Sequence, residues 1–272
     1  MSAKRLIIIG TTGILTLLLI IGGAKLYNRL SYNKQAHATD VYQYIPPDAG
    51  HLVRINNSQG LQNVCRYDST FAYLATPLRK YINYPLFVIS FGNGQLLMSK
   101  VSPEHETEME NIIGSVITTP PYVKKEKYKD AELLFYAMTD NQFIVCTFYK
   151  GVFAISKNYK LIEKVIDMKG NTFFQDRAIE ELQIDMKHKY PSDIFVKSDS
   201  LNSIMGLNLV NDTLIFEGYL KFDDDININI YKDILNIDTL HYSIAEIDTP
   251  HSEDNIFIRV SLNKKEETAF NY

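Results

Sequence analysis

The run Leu6–Ala24 constrains this chain more than any other feature: 19 residues without a charge, mostly Ile and Leu with interspersed Gly and Thr. At 1.5 Å rise per residue, a helix of that length covers about the ~30 Å hydrocarbon core of a bilayer. Lys4 and Arg5 precede it, Lys25 and Arg29 follow, and Tyr27 and Tyr32 stand where interfacial aromatics are expected. Two readings compete. A secretory signal peptide has an apolar region of about 7–15 residues and a small-residue cleavage site, for which Gly22-Gly23-Ala24 would serve. The run is longer than that and cations follow it directly, so an uncleaved anchor is the expectation. No cysteine lies just after the run, which argues against lipoprotein processing. The cationic flanks are nearly balanced and barely discriminate between orientations. Long downstream domains translocate largely regardless of charge, so we expect a single pass through the cell inner membrane with the bulk of the chain periplasmic.

Charge narrows the function classes. The chain carries 28 basic and 32 acidic side chains, a net charge of −4. Setting aside the four cations that flank the apolar run leaves 24 basic against 32 acidic groups, about −8. That field disfavours non-specific nucleic-acid binding, and no basic stripe with interleaved aromatics is present. Hydrophobic residues at 46% and charged residues at 22% are ordinary for a globular protein. Cys65 and Cys146 could form one disulfide in an oxidising compartment. The alternative is two small buried hydrophobes, favoured because Cys146 sits in an alternating strand-like run, Phe143–Phe148. No Cys-x-x-Cys or Cys/His pair stands at zinc-ligand spacing.

Beyond the anchor (1–30), Ser31–Tyr44 is polar without apolar periodicity and reads as a short tether (31–44). Residues 45–190 read as the first half of an α+β domain, and 191–272 as a sheet-rich second half of the same domain. Ile45-Pro46-Pro47 makes a stiff entry to a strand at His51–Ile55. Helices are expected after Asn57-Ser58, over about Thr70–Ile82 with a kink at Pro77, after Ser102-Pro103, after Asn158, and over about Thr172–Lys187. Strands are expected at Leu86–Phe91 and Gln95–Val101, joined by the hairpin signal Gly92-Asn93-Gly94. Others fall at Tyr122–Tyr128, Glu132–Met138, Phe143–Tyr149 and Gly151–Ser156. The last 80 residues alternate with period two, as in Leu214, Phe216, Gly218, Leu220 and Phe222, and again in Ile226–Ile230, Leu240–Ile244 and Ile256–Leu262. The expectation is a mostly antiparallel sheet with helices packed on one side. A strand–cap–helix echo at His51–Val64, Val152–Ile166 and Ile194–Leu207 raises the possibility of a duplicated unit.

Ile45-Pro-Pro-Asp-Ala49, Gly151-Val-Phe-Ala-Ile-Ser156 leading into Leu161-Ile-Glu-Lys-Val165, Phe174-Gln-Asp176, Asp193-Ile-Phe-Val196 and Thr213-Leu-Ile-Phe-Glu-Gly218 carry a resemblance. Over about Ile45–Phe222 the chain resembles uncharacterised bacterial envelope proteins that share an N-terminal anchor and the domain of unknown function catalogued as number 3352. The resemblance implies the address and the α+β architecture. It brings no activity and no catalytic residues.

Searches for chemistry return structural explanations. Gly92-Asn93-Gly94 lacks the third Gly of a dinucleotide loop and lies between strands. His105-Glu106 begins like a zinc-protease motif, but Met109 stands where the second His belongs; an acidic first helical turn explains it better. A divalent cation held loosely by Glu104, His105 and Glu108 is the alternative. Asp223-Asp224-Asp225-Ile226-Asn227 starts like a calcium loop but has Ile228 and Ile234 where Gly and Glu are required, and reads as an acidic turn. Lys124, Lys125, Lys127 and Lys129 fit a strand edge guarded against self-pairing better than a lipid-binding patch. His37, His51, His188, His241 and His251 are scattered. No catalytic, cofactor or metal residue is assigned. The leading expectation is a non-catalytic, membrane-tethered protein, bound to the membrane through residues 6–24, that binds or scaffolds an envelope protein partner. The alternatives are a small-molecule or glycan binder, with an aromatic cleft drawn from Tyr67–Tyr84 and Tyr122–Tyr149, and an unrecognised hydrolase.

Overall fold

A computed structural model of the chain describes residues 3–67, 69–117, 122–138, 142–186, 189–198, 201–210, 213–222, 242–248 and 256–264. Twelve strands form one sheet: β1 (His51–Ile55), β2 (Asn83–Phe91), β3 (Gly94–Lys100), β4 (Val123–Tyr128), β5 (Ala131–Ala137), β6 (Phe143–Tyr149), β7 (Val152–Ser156), β8 (Ser192–Lys197), β9 (Leu201–Val210), β10 (Thr213–Phe222), β11 (Tyr242–Asp248) and β12 (Ile256–Lys264). Their order across the sheet is β11-β12-β10-β9-β8-β1-β2-β3-β7-β6-β5-β4. Every neighbouring pair is antiparallel. The helices are α1 (Ala3–Ala38), α2 (Ser58–Tyr67), α3 (Ser69–Leu78), α4 (Glu106–Ile117), α5 (Tyr159–Asp167) and α6 (Arg177–Asp185). The α+β class expected from the sequence is what the chain adopts.

Helices cover both faces of the sheet, which corrects the expectation of one covered side. Leu61 and Val64 of α2, Phe71, Ala75 and Leu78 of α3, and Met109 and Ile113 of α4 share a core with Ile55, Leu86, Leu97 and Phe153. Leu161, Ile162, Val165 and Ile166 of α5 and Ile179 and Leu182 of α6 share the opposite core with Leu52, Phe87, Met98 and Ala154. The reason lies in the central strands. Successive residues of a strand point to opposite faces, and β7 is buried at every position while Leu96-Leu97-Met98 of β3 is apolar throughout. Away from the centre, β10 alternates cleanly between buried and half-buried positions over 213–221.

The crossover from β7 to β8 passes over β3, β2 and β1 and carries α5 and α6. Asn158 caps α5 by accepting from Lys160 N at 3.1 Å. Asp176 caps α6, accepting from Ala178 N at 3.0 Å, and is tied to Lys197 of β8 at 2.6 Å. Lys221 of β10 reaches Glu181 of α6 at 2.6 Å. These two pairs fix α6 against the β8–β10 part of the sheet.

Two further expectations change, and one is left where the sequence put it. Ser31–Ala38 is helical, the continuation of α1, and Val41–Tyr44 is a 3₁₀ turn capped by Asp40; the segment read as an irregular tether is ordered because it packs on the domain. Among the described residues no helix is long and apolar enough to cross a membrane; the side chains of residues 6–13 and 15 fall outside them, so the expected span over 6–24 is not tested by this. The third echo of the strand–helix unit, Ile194–Leu207, contains the hairpin of β8 and β9 and no helix. The acidic run 223–227 and the alternating stretch 226–230 lie outside the described residues.

Candidate functional site

One register row of the sheet is polar at one end and apolar at the other. Arg54 of β1 pairs across the ladder with Asp193 of β8, Asp193 with Gly206 of β9, Gly206 with Glu217 of β10, and Glu217 with Arg259 of β12. In the other direction the same row continues from Arg54 through Phe87, Met98 and Ala154. The apolar half fills the core beneath α5. Arg54 and Asp193 of the polar half form the floor of a cavity at the end of α6.

Arg54 donates to Asp193 Oδ2 from Nε at 3.0 Å and from Nη2 at 2.7 Å, and Asn56 Nδ2 donates to the same oxygen at 2.7 Å. Asp193 is only 3% exposed, so three donors replace the water it loses. The Arg54 guanidinium lies 5.1 Å from the ring centre of Phe195 and 5.9 Å from that of Phe174, within the range of cation–π attraction. Phe174 in turn meets Tyr42 edge-on at 5.0 Å.

Gly206 leaves the row open, and Tyr190 fills the gap. Its hydroxyl donates to Glu217 Oε2 at 2.9 Å, while Arg259 Nε lies 3.2 Å from Glu217 Oε1. Burial, and then the hydrogen bond to Glu217, push the Tyr190 hydroxyl well above the usual phenol range. The Tyr190 carbonyl accepts from Asn56 Nδ2 at 2.9 Å. The four charged groups of the row, Arg54, Asp193, Glu217 and Arg259, therefore pair with one another.

The resulting cavity has a volume of about 600 Å³ and is lined by Tyr42, Arg54, Asn56, Asn57, Gln183, Met186, Lys189, Tyr190, Asp193 and Ile204. That size is typical of small-molecule sites, ~300–1,000 Å³. Among the described residues the lining contains no His, Cys, Ser or Thr. Among the described lining residues the carboxylate is that of Asp193, whose Oδ2 accepts three hydrogen bonds, so that oxygen is engaged in holding the floor together.

A second groove, about 480 Å³, lies at the opposite end of the strands, lined by Phe135, Phe143, Val145 and Tyr159 with Lys124, Glu126, Gln142 and Lys157 at its rim. It draws on the Tyr122–Tyr149 segment named from the sequence. The Tyr67–Tyr84 segment lines neither cavity.

The sequence candidates do not converge. His105 Nδ1 lies 3.9 Å from Glu108 Oε2, and among the described residues no three His, Cys, Asp or Glu side chains are placed to hold a metal ion. Gly92-Asn93 is the β2–β3 turn. Lys124, Lys125 and Lys127 lie on β4, the edge of the sheet; Lys124 pairs with Glu126, and Lys125 with Glu110 at 3.0 Å. Cys65 and Cys146 are not joined, and Cys146 is fully buried. Sequence reasoning missed Arg54, Asp193, Tyr190, Gly206 and Glu217. The signal was there: two opposite charges at inward positions of buried strands, and a glycine inside a strand, which marks a close approach.

No family model matches the chain, and no curated protein matches it. Solved structures do share its fold. Crystal form III of TP0453 aligns with a TM-score of 0.52 at 10% identity, over 84% of this chain and 95% of that chain. Crystal form I of TP0453 aligns with a TM-score of 0.51 at 9% identity, over 84% of this chain and 94% of that chain. At such identities the likeness is one of fold.

Proposed function

We propose that this chain is a single-pass membrane protein of the cell envelope. Residues 6–24 span the inner membrane, and the α+β domain stands outside the cytoplasm, where it binds or scaffolds another envelope component. The resemblance to anchored envelope proteins noted from the sequence supports this address.

The observation that carries the reading is the seat of α1. The helix is continuous over Ala3–Ala38, and its described side chains are exposed up to Ser31. Among its described side chains, those that touch the domain lie in its last two turns. Tyr32 donates to Glu106 Oε1 at 2.5 Å, and Ala36, 1% exposed, packs against Gly151 in the β6–β7 turn. Just past the helix, Thr39 Oγ1 donates to Lys150 O at 2.6 Å, and Lys100 Nζ donates to His37 O and Thr39 O at 2.7 and 3.0 Å. From Ala24 to Tyr32 a helix rises only about 12 Å. An anchored α1 is thus a strut that holds one end of the sheet close to the bilayer in a set orientation.

Carbonate-washed membranes and protease added to the outer side of spheroplasts test this. The full chain stays in the pellet and is cut beyond Ala38; release by carbonate, or full protection, contradicts it. Cross-linking the anchored protein in its membrane should then capture a stoichiometric envelope partner.

A further inference from the structure

The cavity beside α6 shows what chemistry such a component would present. We propose that it is a binding site for a neutral saccharide of one to three rings, a proposal that deepens the binding reading above and does not depend on the anchor.

Three observations converge. First, the two charges on the floor neutralise each other, Arg54 lying 2.7 Å from Asp193, and Glu217 behind them is held by Arg259 at 3.2 Å and Tyr190 at 2.9 Å; the remaining charge among the described lining residues is that of Lys189, which is exposed to solvent. A charged ligand on the floor would have to displace the Arg54–Asp193 pair, and the solvated Lys189 at the wall is the cation that the glucose 6-phosphate arm of the test below probes. Second, the walls offer neutral groups that both donate and accept, the amides of Asn57 and Gln183. Hydroxyl groups, which also do both, match such a lining better than a carboxylate or an ammonium. Third, Tyr42, Met186 and Ile204 supply apolar surface beside these polar groups. A sugar ring has the same division, C–H bonds on its faces and hydroxyls on its rim.

The persistence of the Arg54–Asp193 pair fits this role. Well-packed apolar residues in place of a buried ion pair are often as stable or more so, and the same row is apolar at Phe87, Met98 and Ala154. A pair held by Asn56, its guanidinium within cation–π range of both Phe174 and Phe195, keeps the floor polar and rigid before a ligand arrives.

The test uses the full chain in a detergent without a sugar headgroup, such as an amine oxide, and saturation-transfer NMR with chitobiose, cellobiose and glucose 6-phosphate. At least one neutral disaccharide receives saturation, and glucose 6-phosphate binds no more tightly. Gln183→Ala weakens binding about fivefold or more, and Met186→Trp, which fills the mouth, abolishes it, with thermal midpoints near that of the parent. No transfer to either disaccharide, binding that survives Met186→Trp in a folded protein, or tighter binding of the phosphate overturns the proposal. Membrane extraction is read separately, so failure here leaves the anchor reading standing.

Discussion

The near edge of the Tyr190 ring lies directly over Gly206: a Cβ on Gly206 would fall 2.0 Å from Tyr190 Cγ and 2.1 Å from Cδ2. No side chain fits there unless Tyr190 leaves. Gly206→Ala should therefore expel the ring, break its hydrogen bond to Glu217, and destabilise the domain by about 1–3 kcal/mol. In a Tyr190→Ala background the same substitution should cost far less. Urea denaturation of the four proteins of that cycle reads the coupling; additive effects would mean that the ring and the glycine are independent.

Removing one partner of a buried ion pair strands the other. Arg54→Met or Asp193→Leu alone should cost about 3–5 kcal/mol, and the double substitution much less. Equilibrium denaturation separates the two cases. Saccharide binding should nonetheless be lost in the double variant, which keeps the fold and loses the polar floor.

Gly151 has φ of +82°, and a Cβ there would stand 2.6 Å from Ala36 Cα. Gly151→Ala meets both backbone strain, of order 1–3 kcal/mol, and a collision with the end of α1. The expected outcome is a domain that stays folded while α1 lifts from it, seen as faster tryptic cleavage at Lys34. Unchanged cleavage would place the stability of this junction elsewhere.

Burial raises the Glu106 carboxyl above its ordinary range, against the opposing pull of the Tyr32 hydrogen bond. A carboxyl with a raised folded-state pKa binds more protons folded than unfolded, so its contribution to stability falls as pH rises from the ordinary carboxylate pKa through the raised value. Asp130, Asp167, Asp176 and Glu181 are shifted down and act oppositely, so the whole protein does not isolate the effect. The difference between parent and Glu106→Gln does: relative to the parent, the variant should gain stability as pH rises from about 4 to 7. A flat difference would show that Glu106 does not sense its burial.

Much of the architecture was legible along the chain. β1, β6 and the cap at Asn158 follow from local chemistry: an alternating or apolar run, or an Asn before a helical stripe. The position of β4 as a lysine-bearing edge strand follows from the same kind of rule. What local pattern could not carry is pairing at long range. Arg54 and Asp193 are 139 residues apart, and each alone looks like an ordinary strand charge; only the register of β1 beside β8 makes them a site. Ile194–Leu207 reads along the chain as a third strand–cap–helix echo, whereas Leu201–Val210 is strand β9. In the sheet, Gly206 makes room for Tyr190, and Ser203 is buried among apolar neighbours. The ordering of Ser31–Ala38 depends likewise on partners far away, at Glu106 and Gly151.

The central claim is that α1 is a strut and not a leash. The distance between spin labels at Asn28→Cys and Lys127→Cys, measured by pulsed electron resonance on the full chain in lipid nanodiscs, tests it most directly. Cys65 is replaced by Ser, and Cys146 is buried beyond the reach of the label. The account predicts a single narrow distance distribution that broadens when Gly151→Ala is added. A broad distribution in the parent protein would contradict it.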